Sequence, residues 1–200
     1  MMQNSPTSAL APQGFTLFDT AIGQCGIAWG ENGIVGVQLP MPSEAQTRAR
    51  LVQRWSPAAE AAPPETIREA IDNIVALMSG ETRDLTGIVL DEAEVPDFNR
   101  KVYEIARGIP VGKTLTYGDI AKRLGGLELS RDVGQALGQN PFPIIVPCHR
   151  VLAAGGKPGG FSANGGTATK LRMLAIEGAY VNHTPSLFDA IEPASKSGRV

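Results

Sequence analysis

Cysteine and histidine are each present only twice in these 200 residues, as Cys25, Cys148, His149 and His183, and that scarcity excludes several classes at once. Two cysteines cannot build the disulfide framework of a small secreted domain, and they read as free thiols kept reduced. Together the four residues have the right chemistry for zinc but lack the paired short spacing of structural zinc sites, so no metal is expected. No apolar run approaches the roughly 20 residues that cross a bilayer. Residues 1 to 15 lack both the basic start and the continuous apolar stretch of a secretory signal. The chain therefore reads as intracellular, acting in the cytoplasm or, in a eukaryote, in the nucleus. Internal repeats are absent as well.

What is present suits one large or two small globular domains, with 42% apolar and 6% aromatic residues. The net charge of −2 is unevenly spread. Residues 1–96 carry 5 Lys+Arg against 12 Asp+Glu, residues 97–182 carry 11 against 6, and the remainder balances at 2 and 2. A basic second half suits an anionic partner such as a phosphate backbone. On charge alone, a solvated surface of accidental asymmetry remains equally open.

Hydrophobic periodicity divides the chain further. Residues 1–14 read as a loose leader and 15–92 as a small α+β domain. In that domain Phe15–Phe18, Gln24–Trp29 and Ile34–Leu39 form an antiparallel meander, with Asn32-Gly33 supplying positive φ angles to a hairpin turn. Ser43-x-x-Gln46 predicts a capping box opening a helix to about Trp55, broken by the run Pro57 to Pro64. Ile67, Ile71, Ile74, Val75 and Met78 then share one face of a second helix stopped by Gly80. Ile88–Leu90 is a candidate short strand, and Asp91–Pro96 an acidic linker ended by a helix breaker.

Residues 97–181 form the second predicted domain. Asp97 caps a helix with Phe98, Val102, Ile105 and Ala106 on its apolar face. Thr116 caps a short helix to Leu124 and Ser130 another to about Gln139, a pair resembling a helix-turn-helix with a long turn. Pro141–Val146 reads as extended and buried, Gly155–Gly160 as a loop whose backbone can approach a ligand, and Thr167–Ile176 as a last helix ended by Glu177-Gly178. Residues 182–200 read as a disordered tail.

Chemistry concentrates in Pro147-Cys148-His149-Arg150. An ordinary thiol of pKa about 8.5 is only a few per cent thiolate at neutral pH, so a cysteine nucleophile needs a neighbour to handle its proton. His149 is the candidate; on an extended segment it points to the opposite side from Cys148 and acts through a water. Glu177 is placed to orient the imidazole, as the third member does in other nucleophile and base systems. Taken singly, His149 also reads as a satisfied structural histidine, Arg131 as a surface charge, Tyr117 as a core aromatic and Asn140 as a helix terminator. Arg150 reads as structural, pairing with a carboxylate or with backbone carbonyls.

The run Asn140-Pro-x-Pro-Ile-Ile-Val-Pro-Cys148-His149-Arg150-Val151, preceded by Tyr117 and Arg131-x-Val-Gly and followed by Gly159-Gly160-Phe161-Ser162 and Glu177, resembles the O6-alkylguanine-DNA alkyltransferases, or methylated-DNA-protein-cysteine methyltransferases. The resemblance covers roughly residues 97 to 179. It implies a ribonuclease-H-like first domain and a mainly helical, winged-helix-like second domain.

It further implies DNA repair by single-turnover transfer of an alkyl group from O6 of guanine, less readily from O4 of thymine, to Cys148, with no cofactor and a monomeric protein on double-stranded DNA. A stacked base hides its O6, so the nucleotide must be flipped into a pocket. By the family's pattern Arg131 fills the vacated stack from a helix in the minor groove. Tyr117 pushes on the target phosphate and hydrogen-bonds the leaving base. Ser162, Gly159 and Gly160 contact O6, Val151 offers its carbonyl to the exocyclic amine, and Asn140 ties the recognition helix to the active-site strand. Cys148, His149 and Glu177 form a water-linked relay.

Two departures stand out. Phe161 occupies a place where tyrosine is frequent, and the segment from Ser162 to Lys170 is two residues longer than is typical. Two other classes compete. Related alkyltransferase-like proteins bind alkylated bases without repairing them and lack the cysteine, against which Cys148 argues. A cysteine hydrolase would need an oxyanion arrangement that is not readable and would leave the basic half unexplained.

Overall fold

The computed structural model describes residues 12–179, so the expected tail at 182–200 and most of the leader lie outside the described residues. Where the described residues begin, the Gln13 N–H already bonds the Trp29 carbonyl at 2.8 Å, and the chain enters its first sheet.

That sheet grows from a meander of β1 (Gly14–Thr20), β2 (Gly23–Gly30) and β3 (Gly33–Gln38), antiparallel as expected. Only Gly33 has a positive φ in the β2–β3 turn, at 134°, and the register of the pair shifts at Ala28/Trp29. The Oγ of Ser43 accepts from the Gln46 N–H at the start of α1 (Glu44–Arg54). α1 packs on one sheet face. Leu51 and Trp55 lie so close to the strands that a Cβ at Gly26 or Gly36 would fall 2.3 or 1.9 Å from their side chains. A two-residue strand that periodicity could not show, β4 (Ala59–Glu60), adds in parallel to β1, for a sheet order β3-β2-β1-β4.

The other sheet face receives α2 (Glu65–Met78), which buries Ile67, Ala70, Ile74, Leu77 and Met78. The buried stripe thus runs through Ala70 and Leu77, with Ile71 and Val75 at its half-buried margin. With a helix on each face, β2 is apolar and buried without interruption from Cys25 to Trp29. Gly80 ends α2 at φ 94°. The expected strand at Ile88–Leu90 is a single parallel bridge between Leu90 and Ile34.

Beyond the linker come α3 (Asp97–Arg107), β5 (Leu115–Thr116), α4 (Tyr117–Leu124), α5 (Ser130–Gly138), β6 (Val151–Leu152) and α6 (Gly166–Ile176). Thr116 and Asp119 form a full reciprocal capping box on α4. Asp97 and Ser130 are not caps, being each the first residue of its helix; Ser130 Oγ instead donates to the Leu127 carbonyl at 2.5 Å, closing a 3-10 turn over Leu127–Leu129. β5 pairs in parallel with β6, bringing the start of α4 beside the segment after Cys148. One apolar cluster contains Ile27, Ile34 and Ile74 from the first half and Val102, Val133, Val146 and Met173 from the second. The Val37 N–H donates to the Pro141 carbonyl at 2.8 Å, joining the sheet edge to the turn that precedes the reactive tetrad. The α+β expectation holds.

Candidate active site

Pro141–Val146 is not extended. It folds into a tight turn in which Ile144 takes a φ of 75°, and Pro143 bridges Val146. A β-branched residue in that region carries strain of ~1–2 kcal/mol, held here by burial of the whole side chain. Asn140 organises the turn from inside: its Oδ1 accepts from the Phe142 N–H and its Nδ2 donates to the Val146 carbonyl, both at 2.9 Å. It thereby joins the end of α5 to the segment that leads into Cys148.

The same folding turns Cys148–Arg150 into a 3-10 turn. His149 is wholly buried, and its Nε2 lies 2.9 Å from Glu177 Oε1. Glu177 follows the last turn of α6 and also receives Arg150, whose Nε donates to Oε2 at 2.8 Å and Nη2 to Oε1 at 2.9 Å. Arg150 Nη1 donates to the Ile109 carbonyl at 2.6 Å, so carboxylate and backbone partners both occur. Burial opposes the charge on Glu177, but hydrogen bonds from His149 and Arg150 outweigh it and hold the carboxyl at about 2. Burial pushes His149 below its ordinary value against the pull of Glu177, keeping the ring neutral. With Nε2 committed as donor to a carboxylate, Nδ1 is left as an acceptor, and it is buried without a protein partner.

Cys148 is partly exposed while its neighbours are closed off. Burial of the sulfur raises its pKa, and the Asn140 amide, the Lys170 ammonium and the backbone N–H groups of Cys148 and His149 pull the other way. Cys25 is fully buried, and burial pushes its thiol up as well, to about 12. Of the two cysteines among the described residues, Cys148 is thus the one with some exposure to solvent, where Cys25 is a buried strand residue as expected.

Lys170 was missed by sequence reasoning except as a spacing marker. It is wholly buried in α6, donates from Nζ to the Val151 carbonyl at 2.6 Å, and lies 5.8 and 5.9 Å from the Tyr117 and Phe161 ring centroids. Burial lowers its pKa to about 8, and the nearby Cys148 works in the opposite direction. A lysine is ordinarily assigned to the surface, so nothing in its local pattern could have found it. Val151 is itself fully buried, with its carbonyl already the acceptor for Lys170.

Tyr117, at the start of α4, reaches over the glycine loop; its Oη donates to the Gly160 carbonyl at 3.5 Å, a weak contact. A Cβ at Gly159, where φ is 67°, would fall 3.3 Å from the Tyr117 ring, so a side chain there would meet both strain and the ring. Burial, then Cys148, raises the phenol's pKa and keeps it protonated. Ser162 is exposed on the following loop, and Arg131 is exposed in the first turn of α5. The fold therefore unites Cys148, His149, Arg150, Val151, Asn140, Glu177 and Lys170 in one bonded group with Tyr117, Gly159 and Gly160 beside it, while Arg131 stands outward on its helix. Among the described residues no three His, Cys, Asp or Glu side chains gather as a metal site.

Comparison with known proteins follows the same outline. The DNA-binding domain of 6-O-methylguanine DNA methyltransferase matches residues 97–179. A methylated-DNA–protein-cysteine methyltransferase of Methanothermobacter thermautotrophicus is 34% identical over 153 residues, 76% of this chain and 78% of that protein. One from Mycobacterium tuberculosis is 33% identical over 175 residues, 88% of this chain and 98% of that one. The crystal structure of Mycobacterium tuberculosis OGT in complex with DNA matches with a TM-score of 0.64 at 29% identity, over 82% of this chain and 92% of that one.

Proposed function

This chain belongs to the family of methylated-DNA–protein-cysteine methyltransferases, and from that premise we infer how its own residues divide the work. The protein repairs DNA directly, moving an alkyl group from O6 of guanine, less readily from O4 of thymine, onto a cysteine, once per molecule. It binds double-stranded DNA and reaches the damaged base by flipping it out of the stack.

Cys148 is the acceptor. Its sulfur attacks the alkyl carbon, an S–C bond forms, and the C–O6 bond breaks. The thiol proton passes to His149 Nδ1 through a bridging water, and the leaving guanine takes up a proton through the Tyr117 hydroxyl, so that thiol plus alkylguanine becomes thioether plus guanine. A thioether has no acidic proton and no way back, which ends the molecule's usefulness. Glu177 supports this reading by fixing Nε2 as the donor and leaving Nδ1 free to accept. Lys170 adds a nearby positive charge that favours the sulfur anion as it forms.

Arg131 enters the vacated stack, Val151, Ser162, Gly159 and Gly160 line the base site, and Asn140 and Arg150 hold the framework. We place the first domain at 15–92 and the DNA-binding and active-site domain at 97–181. The protein works as a single chain in the cytoplasm or nucleus, where its thiol stays reduced. No helix among the described residues is long and apolar enough to cross a membrane.

The observation that carries this reading is the partly exposed Cys148 beside an imidazole whose far nitrogen is held by a buried carboxylate. Cys148→Ala tests it. The variant is expected to bind duplex carrying O6-methylguanine as the wild type does and to accept no methyl group. Retained transfer in that variant would refute the assignment.

A further inference from the structure

Only three large apolar side chains are exposed among the described residues, Val52, Val89 and Leu127, and of these Leu127 alone, at 57% exposure, falls within the matched DNA-binding domain. Its position is built. Gly125 takes a φ of 142° to turn the chain out of α4, and the Leu127–Leu129 3-10 turn is locked by the Ser130 hydroxyl on the Leu127 carbonyl. That turn sends Leu129 inward against the core and Leu127 outward. The 3-10 turn runs directly into α5, so Leu127 lies four residues before Arg131, in the turn that leads into its helix. Its Cδ2 also lies over Gly118, where an added Cβ would sit 3.1 Å away, next to Tyr117. The exposed leucine is thus bracketed by the two residues assigned to the flipped nucleotide.

We propose that Leu127 is a DNA-contacting residue that seats its apolar side chain against the deoxyribose walls of the minor groove beside the point where Arg131 enters. This rests on the repair reading above. The chemistry fits: the sugar C–H groups that wall the groove are an apolar part of the duplex, and apolar side chains such as Leu, Phe and Ile are found among the minor-groove contacts of other DNA-binding proteins. Burying the side chain there removes apolar surface from water without touching a phosphate. The exposed Lys122 and Arg123 at the end of α4, just before the turn, supply the charged contacts. Leu127 and these cations then divide the binding, the first independent of salt and the second dependent on it.

The test is the affinity of the full chain for an unmodified duplex across a range of salt concentrations, for the wild type, Leu127→Ser, Leu127→Met and Lys122→Gln. Leu127→Ser is expected to weaken binding about tenfold at every salt concentration with the slope of log affinity against log salt unchanged, because no counterion release is lost. Leu127→Met, still apolar and of similar volume, should stay within about twofold of the wild type. Lys122→Gln should flatten the slope. Wild-type affinity in a folded Leu127→Ser variant, a flattened slope, or an equal loss in Leu127→Met would each overturn the inference. A wild-type chain that binds no duplex at any salt concentration would instead remove the repair reading, and this inference with it.

Discussion

Glu177 sets one carboxylate oxygen 2.9 Å from His149 Nε2 and gives both oxygens to Arg150, with no solvent reaching either the glutamate or the histidine side chain. A single negative charge therefore aims the imidazole and neutralises the guanidinium behind it. Glu177→Gln keeps the shape but leaves Arg150 buried without a counter-charge, and such losses cost ~3–5 kcal/mol. The expected outcome is a large drop in melting temperature together with a methyl-transfer rate lower by on the order of 100-fold. Thermal denaturation and single-turnover kinetics check it; a stable variant with normal transfer would contradict the shared role.

The pH dependence of stability follows with a definite sign. His149 binds its proton less readily folded than unfolded, so acidification through its ordinary value of 6.5 favours the unfolded chain. Glu177 is held at about 2 against an ordinary 4.5, so its contribution is complete above 4.5 and is lost as pH falls towards 2. Both effects point the same way. Denaturant midpoints should begin to fall near pH 6.5 and fall further below 4.5, and in Glu177→Gln the lower limb should flatten.

Lys170 should behave as a group kept for reactivity at the expense of stability. Its pKa is lowered to about 8 from 10.5, mainly by burial, so the folded state resists a proton that the unfolded chain holds firmly. At neutral pH that opposition weakens folding, and Lys170→Met is expected to raise the melting temperature by a few degrees, since ~1 kcal/mol moves a domain of this size by about 2–4 °C. The same variant should slow methyl transfer about tenfold or more and shift alkylation of Cys148 by iodoacetamide to higher pH. A merely structural lysine would leave the pH profile of the thiol unmoved.

Much of this site was legible in the sequence because its parts lie close together and in order. Thr116 and Ser43 as helix caps, and Gly80 and Gly178 as helix ends, are local signals that the fold keeps, whereas Asp97 and Ser130 lie one residue inside the helices they were expected to cap. Pro141–Val146 was misread because an unbroken apolar run has no period. Burial of nearly every residue looks the same whether the chain is extended or turned, and the positive φ of Ile144 has no signature in a β-branched residue. The stripe of α2 differs by one row because Ala70, which weighs little on any hydrophobic scale, is buried in it. His149 pairs with a carboxylate 28 positions away and Lys170 with a carbonyl 19 positions away. The first pairing follows from the logic of a nucleophile, its base and an orienting carboxylate, and from the family resemblance; the second depends on packing alone.

Arg131 offers a separation of binding from chemistry. It stands exposed in the first turn of α5 and makes no ion pair among the described residues. Filling a vacated stack offsets the few kcal/mol that unstacking costs, so Arg131→Ala should slow repair of duplex on the order of 100-fold. A free O6-alkylguanine base needs no flipping, and its reaction should change little. Equal slowing on both substrates would remove the proposed role.

The most direct test counts methyl groups. Incubating the protein with excess duplex containing O6-methylguanine, then digesting it for mass spectrometry, is expected to give one added methyl per chain, on the peptide holding Cys148 and none on that holding Cys25. More than one equivalent released or transferred per chain, or a methyl found anywhere but on Cys148, would contradict the account.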